Sequence, residues 1–160
     1  MERLLFRVYN SKKLSLSLKI ISHASSLIVA VSFFAMLIKV YKESWLSALL
    51  FAISAAVPFV IVSAMRYFIN APRPYELYSF YEKAPKNKTG RSFPSRHVFS
   101  AFLIGTLAYT ASIPLMIALL LIGCAISVSR VLLGMHFVRD VLAGAVIGVL
   151  AGVIGILILI

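Results

Sequence analysis

Hydrophobic positions run through this chain in blocks too long for an ordinary soluble core, and polar positions fall in short groups between them. The first block, Ile20–Tyr41, reads "IISHASSLIVAVSFFAMLIKVY" and meets the roughly 20 apolar residues needed to cross a bilayer. The second, Ser44–Ile69, contains Pro58 and meets its first charge at Arg66. Val98–Ser129 carries no charge and is too long for one span. It is broken by "YTASIP" (Tyr109–Pro114), where the proline suits the first turn of a new helix after a tight hairpin. The pattern therefore predicts a third span over Ser95–Ala111 and a fourth over Ile113–Leu133. A fifth, Val141–Ile160, repeats Gly144, Gly148 and Gly152 every fourth residue, a stripe of small residues that lets a second helix approach closely.

These blocks predict an all-α, polytopic membrane helix bundle of about five transmembrane helices, with residues 1–160 forming one membrane-embedded domain. No repeat or linker marks a second one. Met1–Lys19 alternates Leu4, Leu5 and Val8 with Arg3, Arg7, Lys12 and Lys13, which suits an N-terminal segment lying in the interface or a basic tail. Asn70–Arg91 is the one long polar segment, a loop with Pro72, Pro74 and Pro85 and charges of both signs. Connections of that length are usually functional or disordered.

Composition supports the membrane reading. Of the 160 residues, 61% are hydrophobic and 13% charged, against about 25% charged in a typical soluble domain. Sixteen Lys and Arg face five Asp and Glu, for a net charge of +11. A nucleic-acid-binding protein would gather such charge on a soluble basic face. Here the cations lie between and beside apolar runs, which suits anionic head groups or an anionic substrate. Cys124 is the single cysteine and sits in mid-run, where burial is expected, so disulfide and cysteine-based zinc schemes are excluded. No small-residue cleavage site follows a short apolar core, so no removable signal peptide is expected.

Three polar groups punctuate the spans: "RYFINAPRP", with Arg66 and Arg73; "PSRH", Pro94–His97; and "SRVLLGMHFVRD", with Ser129, Arg130, His136 and Asp140. Five spans alternating in direction bring the end of span two, the start of span three, the end of span four and the start of span five to one membrane face. The three groups therefore converge. Four arginines placed together repel one another unless an anion joins them, and the guanidinium fork fits phosphate oxygens. The start of span three adds free backbone N–H groups, with Ser95 as its expected N-cap. His136 and Asp140 stand four apart, so a carboxylate can hold one imidazole nitrogen and leave the other free as a nucleophile. His97 can then protonate a leaving oxygen.

Simpler roles compete for each residue taken alone. An arginine at a span end commonly snorkels to head groups, Asp140 could cap span five, and His136 could be a packing histidine. His23 is assigned to packing, Trp45 and the tyrosines to the interfacial belt, and Lys83, Lys86, Lys88 and Arg91 to a solvated loop face. Anchoring alone gives no reason for two histidines, a carboxylate and four arginines on one face.

The three groups resemble the signature of the type 2 phosphatidic acid phosphatase superfamily, membrane lipid-phosphate phosphatases related to vanadium haloperoxidases. That signature is a lysine or arginine, six residues, Arg-Pro; then Pro-Ser-any-His; then Ser-Arg, five residues, His, three residues, Asp. All three parts match with spacing intact. Arg66 stands where lysine is commonest, and Arg96 where glycine is commonest.

The resemblance implies that His136 attacks phosphorus to form a phosphohistidine, that Asp140 orients it, and that His97 serves the leaving group and then water. It implies phosphate binding by Arg66, Arg73, Ser95, Arg96 and Arg130, with no metal and no cofactor. The expected partner is a lipid phosphate in the bilayer, with undecaprenyl diphosphate, phosphatidate and phosphatidylglycerophosphate all open, and the small form favouring the first. A non-catalytic membrane phosphate-binding or transport protein is the alternative. The charge count places the site at the cytoplasmic face, whereas the resemblance favours the outer one.

Overall fold

A computed structural model describes Val8 and residues 11–78 and 89–160. Their regular elements are α1 (Lys12–Glu43), α2 (Trp45–Ile69), the short α3 (Pro74–Leu77), α4 (Arg96–Leu107) ending in a 3₁₀ turn (Ala108–Thr110), α5 (Ile113–Leu132) and α6 (Val138–Leu159). Local chemistry sets the boundaries. The Ser11 side chain caps α1 by accepting from Leu14 N, Ser44 caps α2 by accepting from Ser47 N, and Ser112 caps α5 by accepting from Leu115 N. Pro114 lies in the first turn of α5, as the hairpin reading expects. Residues 1–7, 9 and 10 of the expected interfacial segment lie outside the described residues, and Lys12–Lys19 forms the first turns of α1.

Helices α1, α2, α5 and α6 are each long and apolar enough to cross a membrane. At 32 residues, α1 is about 48 Å long, so its lysines at either end clear the hydrocarbon. Leu16, Leu27, Phe34, Ile61, Leu121 and Leu150 are exposed on the outside of the bundle. In water such a surface would be unsustainable; in a bilayer it is the solvated face.

The third expected span differs from the others. Its α-helical part has only 12 residues, about 18 Å, and it is the centre of the bundle rather than part of its wall. Val98, Phe99 and Leu107 are fully buried. Helices α1, α2, α6 and α5 pack around it in a ring. A helix sheathed by others need not match the hydrocarbon thickness, because its ends meet protein instead of lipid.

The glycine stripe explains how tightly α6 seats on α4. A methyl group added at Gly144 would lie 2.7 Å from Ser95 O, and one at Gly148 would lie 2.6 Å from Phe99 O. The packing role expected of the stripe is the one observed, with α4 as the partner. Cys124, by contrast, is exposed on α5 and not buried. A thiol in the middle of an apolar run can face lipid as readily as core, and the run's period does not distinguish them.

Candidate active site

Five parts of the chain build one polar cavity at the end of the bundle. Arg66 comes from the last turn of α2, Arg73 from the extended stretch before α3, Arg96 and His97 from the first turn of α4, and Arg130 from the last turn of α5. His136 comes from the turn between α5 and α6. All six line a cavity of about 760 Å³ together with Tyr67, Asn70, Gly90, Arg91 and Met135. The convergence expected from alternating spans is thus realised.

The arginines do more than face the cavity. Buried Arg66 sends Nη1 to the carbonyls of Ser92, at 3.2 Å, and Pro94. Arg73 Nε donates to Gly90 O at 3.0 Å, Gly90 N donates to Glu76 Oε1 at 2.7 Å, and Ser92 N donates to Ala71 O at 2.9 Å. These bonds clamp residues 90–94 against the end of α2, which delivers α4 with its N-terminus at the cavity. The first turn of α4 therefore presents backbone N–H groups and the positive end of a helix dipole. Arg130 is buried; its Nη1 approaches Met135 Sδ at 3.2 Å, and its Nε has no hydrogen-bond partner among the described residues.

His136 is placed by a tight reversal after α5. Met135 N and His136 N both donate to Arg130 O, at 3.0 and 3.3 Å, and Gly134 adopts φ of 65°, a left-handed conformation that glycine takes without penalty. The side chain is almost completely buried. Burial holds its imidazole below the ordinary value, Arg73 and Arg66 push the same way, and the Asp140 carboxylate opposes them. The neutral ring is favoured.

Asp140 does not reach His136 directly. Nδ1 and Oδ2 are 3.7 Å apart, beyond hydrogen-bond range. Ser92 fills the relation: its Oγ donates to Asp140 Oδ2 at 2.5 Å and lies 3.3 Å from His136 Nδ1. Asp140 is fully buried in the first turn of α6, and Oδ2 also accepts from Phe137 N at 3.0 Å. It thus caps α6 and anchors the histidine's partner at once. Ser92 is fully buried and was assigned no role from sequence, although it stands two residues before Pro94. Only its proximity to "PSRH" could have drawn attention to it.

Two further positions differ from expectation. Ser95 occupies the N-cap position of α4 but makes no side-chain cap; its buried Oγ has no partner among the described residues, while its backbone N donates to Asp140 O at 2.9 Å. Arg91 is not simply a solvated loop residue: it lines the cavity with its guanidinium 4.9 Å from the centre of the Tyr67 ring. Lys83, Lys86 and Lys88 lie outside the described residues. His23 stays apart on α1, with Nδ1 2.7 Å from Lys19 O.

Comparison with known proteins bears on this geometry. The family model of the PAP2 superfamily matches residues 45–159. The fold is similar to the crystal structure of Aquifex aeolicus LpxE, with a TM-score of 0.71 and 27% identity over 95% of this chain and 92% of that one. It is also similar to the crystal structure of the first transmembrane PAP2 type phosphatidylglycerolphosphate phosphatase from Bacillus subtilis. There the TM-score is 0.60 and the identity 20%, over 94% of this chain and 88% of that one, which speaks for the fold alone. No curated protein sequence matches.

Proposed function

Because the chain belongs to the PAP2 superfamily, we propose that it is a membrane lipid phosphatase that transfers a phosphoryl group from a lipid phosphate or diphosphate to His136 and then to water. One observation carries the reading. His136 turns Nδ1 inward to Ser92 and is held neutral, in a cavity that also presents five arginines and a second histidine. With Nδ1 donating inward, Nε2 is left with its lone pair for phosphorus.

In the first step Nε2 forms a bond to phosphorus while the bond from phosphorus to the lipid-side oxygen breaks, and His97 gives that oxygen a proton. In the second, water attacks the phosphohistidine, His97 takes the water's proton, the P–N bond breaks, and inorganic phosphate leaves with His136 neutral again. Negative charge on the equatorial oxygens is met by fixed cations and by the amides opening α4, which need no rearrangement as the reaction proceeds. Arg130 fits this part especially, since a buried guanidinium N–H without a partner is costly until an anion supplies one. Arg66 and Arg73 hold the α4 entry segment as well as lining the cavity, so they contribute position as well as charge.

The position of the cavity supports a lipid phosphate as substrate. The cavity lies at the ends of helices long and apolar enough to cross a membrane, which suits a phosphate on a lipid tail, and undecaprenyl diphosphate is the preferred candidate. The test is phosphate release from a panel of lipid mono- and diphosphates in detergent with chelator present. Release that persists with chelator, disappears in His136→Ala and survives in His23→Ala supports the reading. Binding of the same lipids without turnover on any of them overturns it in favour of a non-catalytic phosphate-binding protein.

A further inference from the structure

The phosphate cavity shares a wall with a second, apolar one. A groove of about 270 Å³ is bounded by Val29 and Ala30 of α1, Phe59 of α2, and Ala101 and Ile104 of α4. Arg96 and His97 line this groove and the polar cavity alike. From Arg96 to Ile104 the groove follows two turns of α4, about 12 Å down from the cavity. A lipid whose terminal phosphorus sits at His136 and whose chain lies in the groove must pass Arg96 with the atoms that join the two.

The charge of the cavity exceeds what one phosphate needs. Its wall carries Arg66, Arg73, Arg91, Arg96 and Arg130, while no carboxylate among the described residues lines it: Asp140 holds Ser92 and Phe137 through Oδ2 and stands 3.5 Å from Arg139 Nε through Oδ1, and Glu76 holds Gly90. Arg66 and Arg73 spend donors on the carbonyls of the α4 entry segment, and Arg91, over Tyr67, lines the polar cavity but not the groove, so among the five Arg96 alone borders both. Arg96 rests its guanidinium 5.3 Å from the centre of the Phe59 ring, at the top of the groove, and is exposed. Cation–π contact on one face leaves the edge N–H groups of a guanidinium open to an anion.

We infer that Arg96 is a specificity-determining residue that binds the lipid-linked phosphate of a diphosphate substrate, with the first part of the chain in the Phe59–Ile104 groove. This rests on the phosphatase reading and narrows it to lipid diphosphates. It also accounts for a long cation at the position directly before His97. On a monophosphate the same stretch holds only neutral linking atoms, and the guanidinium has no anion to meet.

The test compares wild type with Arg96→Ala and Arg96→Lys on a prenyl diphosphate and the prenyl monophosphate of the same chain. Arg96 is exposed at the first position of α4, so neither substitution disturbs the core. Arg96→Ala is expected to lower kcat/KM for the diphosphate about tenfold more than for the monophosphate, and Arg96→Lys to restore part of the difference. Equal losses on both substrates, or none, overturn the inference while leaving the phosphatase reading intact. Binding of the same two lipids to His136→Ala, with and without Arg96→Ala, supplies a readout independent of turnover. An Arg96-dependent preference for the diphosphate in that binding, combined with a wild type that hydrolyses neither lipid, would uphold this inference and sink the catalytic one. Absence of that preference in binding overturns it.

Discussion

Ser92 donates its hydroxyl proton to Asp140 Oδ2 at 2.5 Å, so the carboxylate acts on His136 through a serine. The hydroxyl can give its single proton to Asp140 and still accept from His136 Nδ1–H, and that direction fixes the tautomer with Nε2 unprotonated. Ser92 is thus a positioning residue. Ser92→Ala is expected to lower kcat about 10–100-fold with KM little changed. Its acid limb in the pH profile should also move, which a purely structural defect would not produce. An unchanged kcat would show that Asp140 and His136 close their 3.7 Å gap without the serine.

The pH dependence has a definite sign. In the proposed mechanism the attacking form of His136 is neutral, and burial with Arg73 and Arg66 disfavours its cation. The nucleophile therefore stays unprotonated below the ordinary imidazole value of about 6.5. The acid limb of kcat/KM, which reports the free enzyme, is expected below that pH. Removing one cation in Arg73→Ala should carry the limb upward. A limb that stays fixed in Arg73→Ala would mean that another group sets it.

His97 is expected to matter in proportion to the leaving group. With a lipid alkoxide, which leaves poorly without a proton, His97→Ala should cost about 10²–10⁴-fold. With an aryl phosphate, whose phenolate leaves unaided, the cost of the first step should largely vanish. Rates on a series of phosphates of graded leaving-group acidity give the slope directly, and equal losses across the series would remove His97 from the acid role.

Gly148 tests how closely α6 must seat on α4. A methyl group there meets Phe99 O at 2.6 Å, a backbone atom of the central helix that cannot step aside alone. Gly148→Ala is expected to destabilise by about 1–3 kcal/mol, read as a lower melting temperature in detergent. Activity should fall with it, because α4 carries His97.

The lysines outside the cavity give an expectation for the membrane side. Lys12, Lys13 and Lys19 lie on α1 toward the site face, and Lys39 and Lys42 toward the other. The excess favours the site at the cytoplasmic face. Because Cys124 is exposed, the background should be Cys124→Ser. Within it an impermeant thiol reagent added to intact cells should label Lys42→Cys and spare Lys12→Cys; the reverse pattern would place the site outside.

Much of the molecule was legible from residue order alone. Five hydrophobic blocks became α1, α2, α4, α5 and α6, four of them within a few residues and α1 starting eight residues before its block, because a backbone in hydrocarbon must bond to itself and helices are the economical way to do so. The gathering of Arg66, Arg73, Arg96, His97, Arg130, His136 and Asp140 at one end followed from alternating spans and from polar groups placed at their ends. What escaped that reading depends on distances between segments remote in sequence. Ser92 lies 48 positions from Asp140, and no periodicity marks it as the group between Asp140 and His136. The missing cap of Ser95, the turn of Arg91 over Tyr67 and the lipid-facing side of Cys124 are likewise outcomes of packing. Hydropathy and spacing specify which end of a helix a residue occupies. Only the docking of α6 glycines onto α4, and the clamp of Arg66 on the Ser92 and Pro94 carbonyls, decided which atom each side chain meets there.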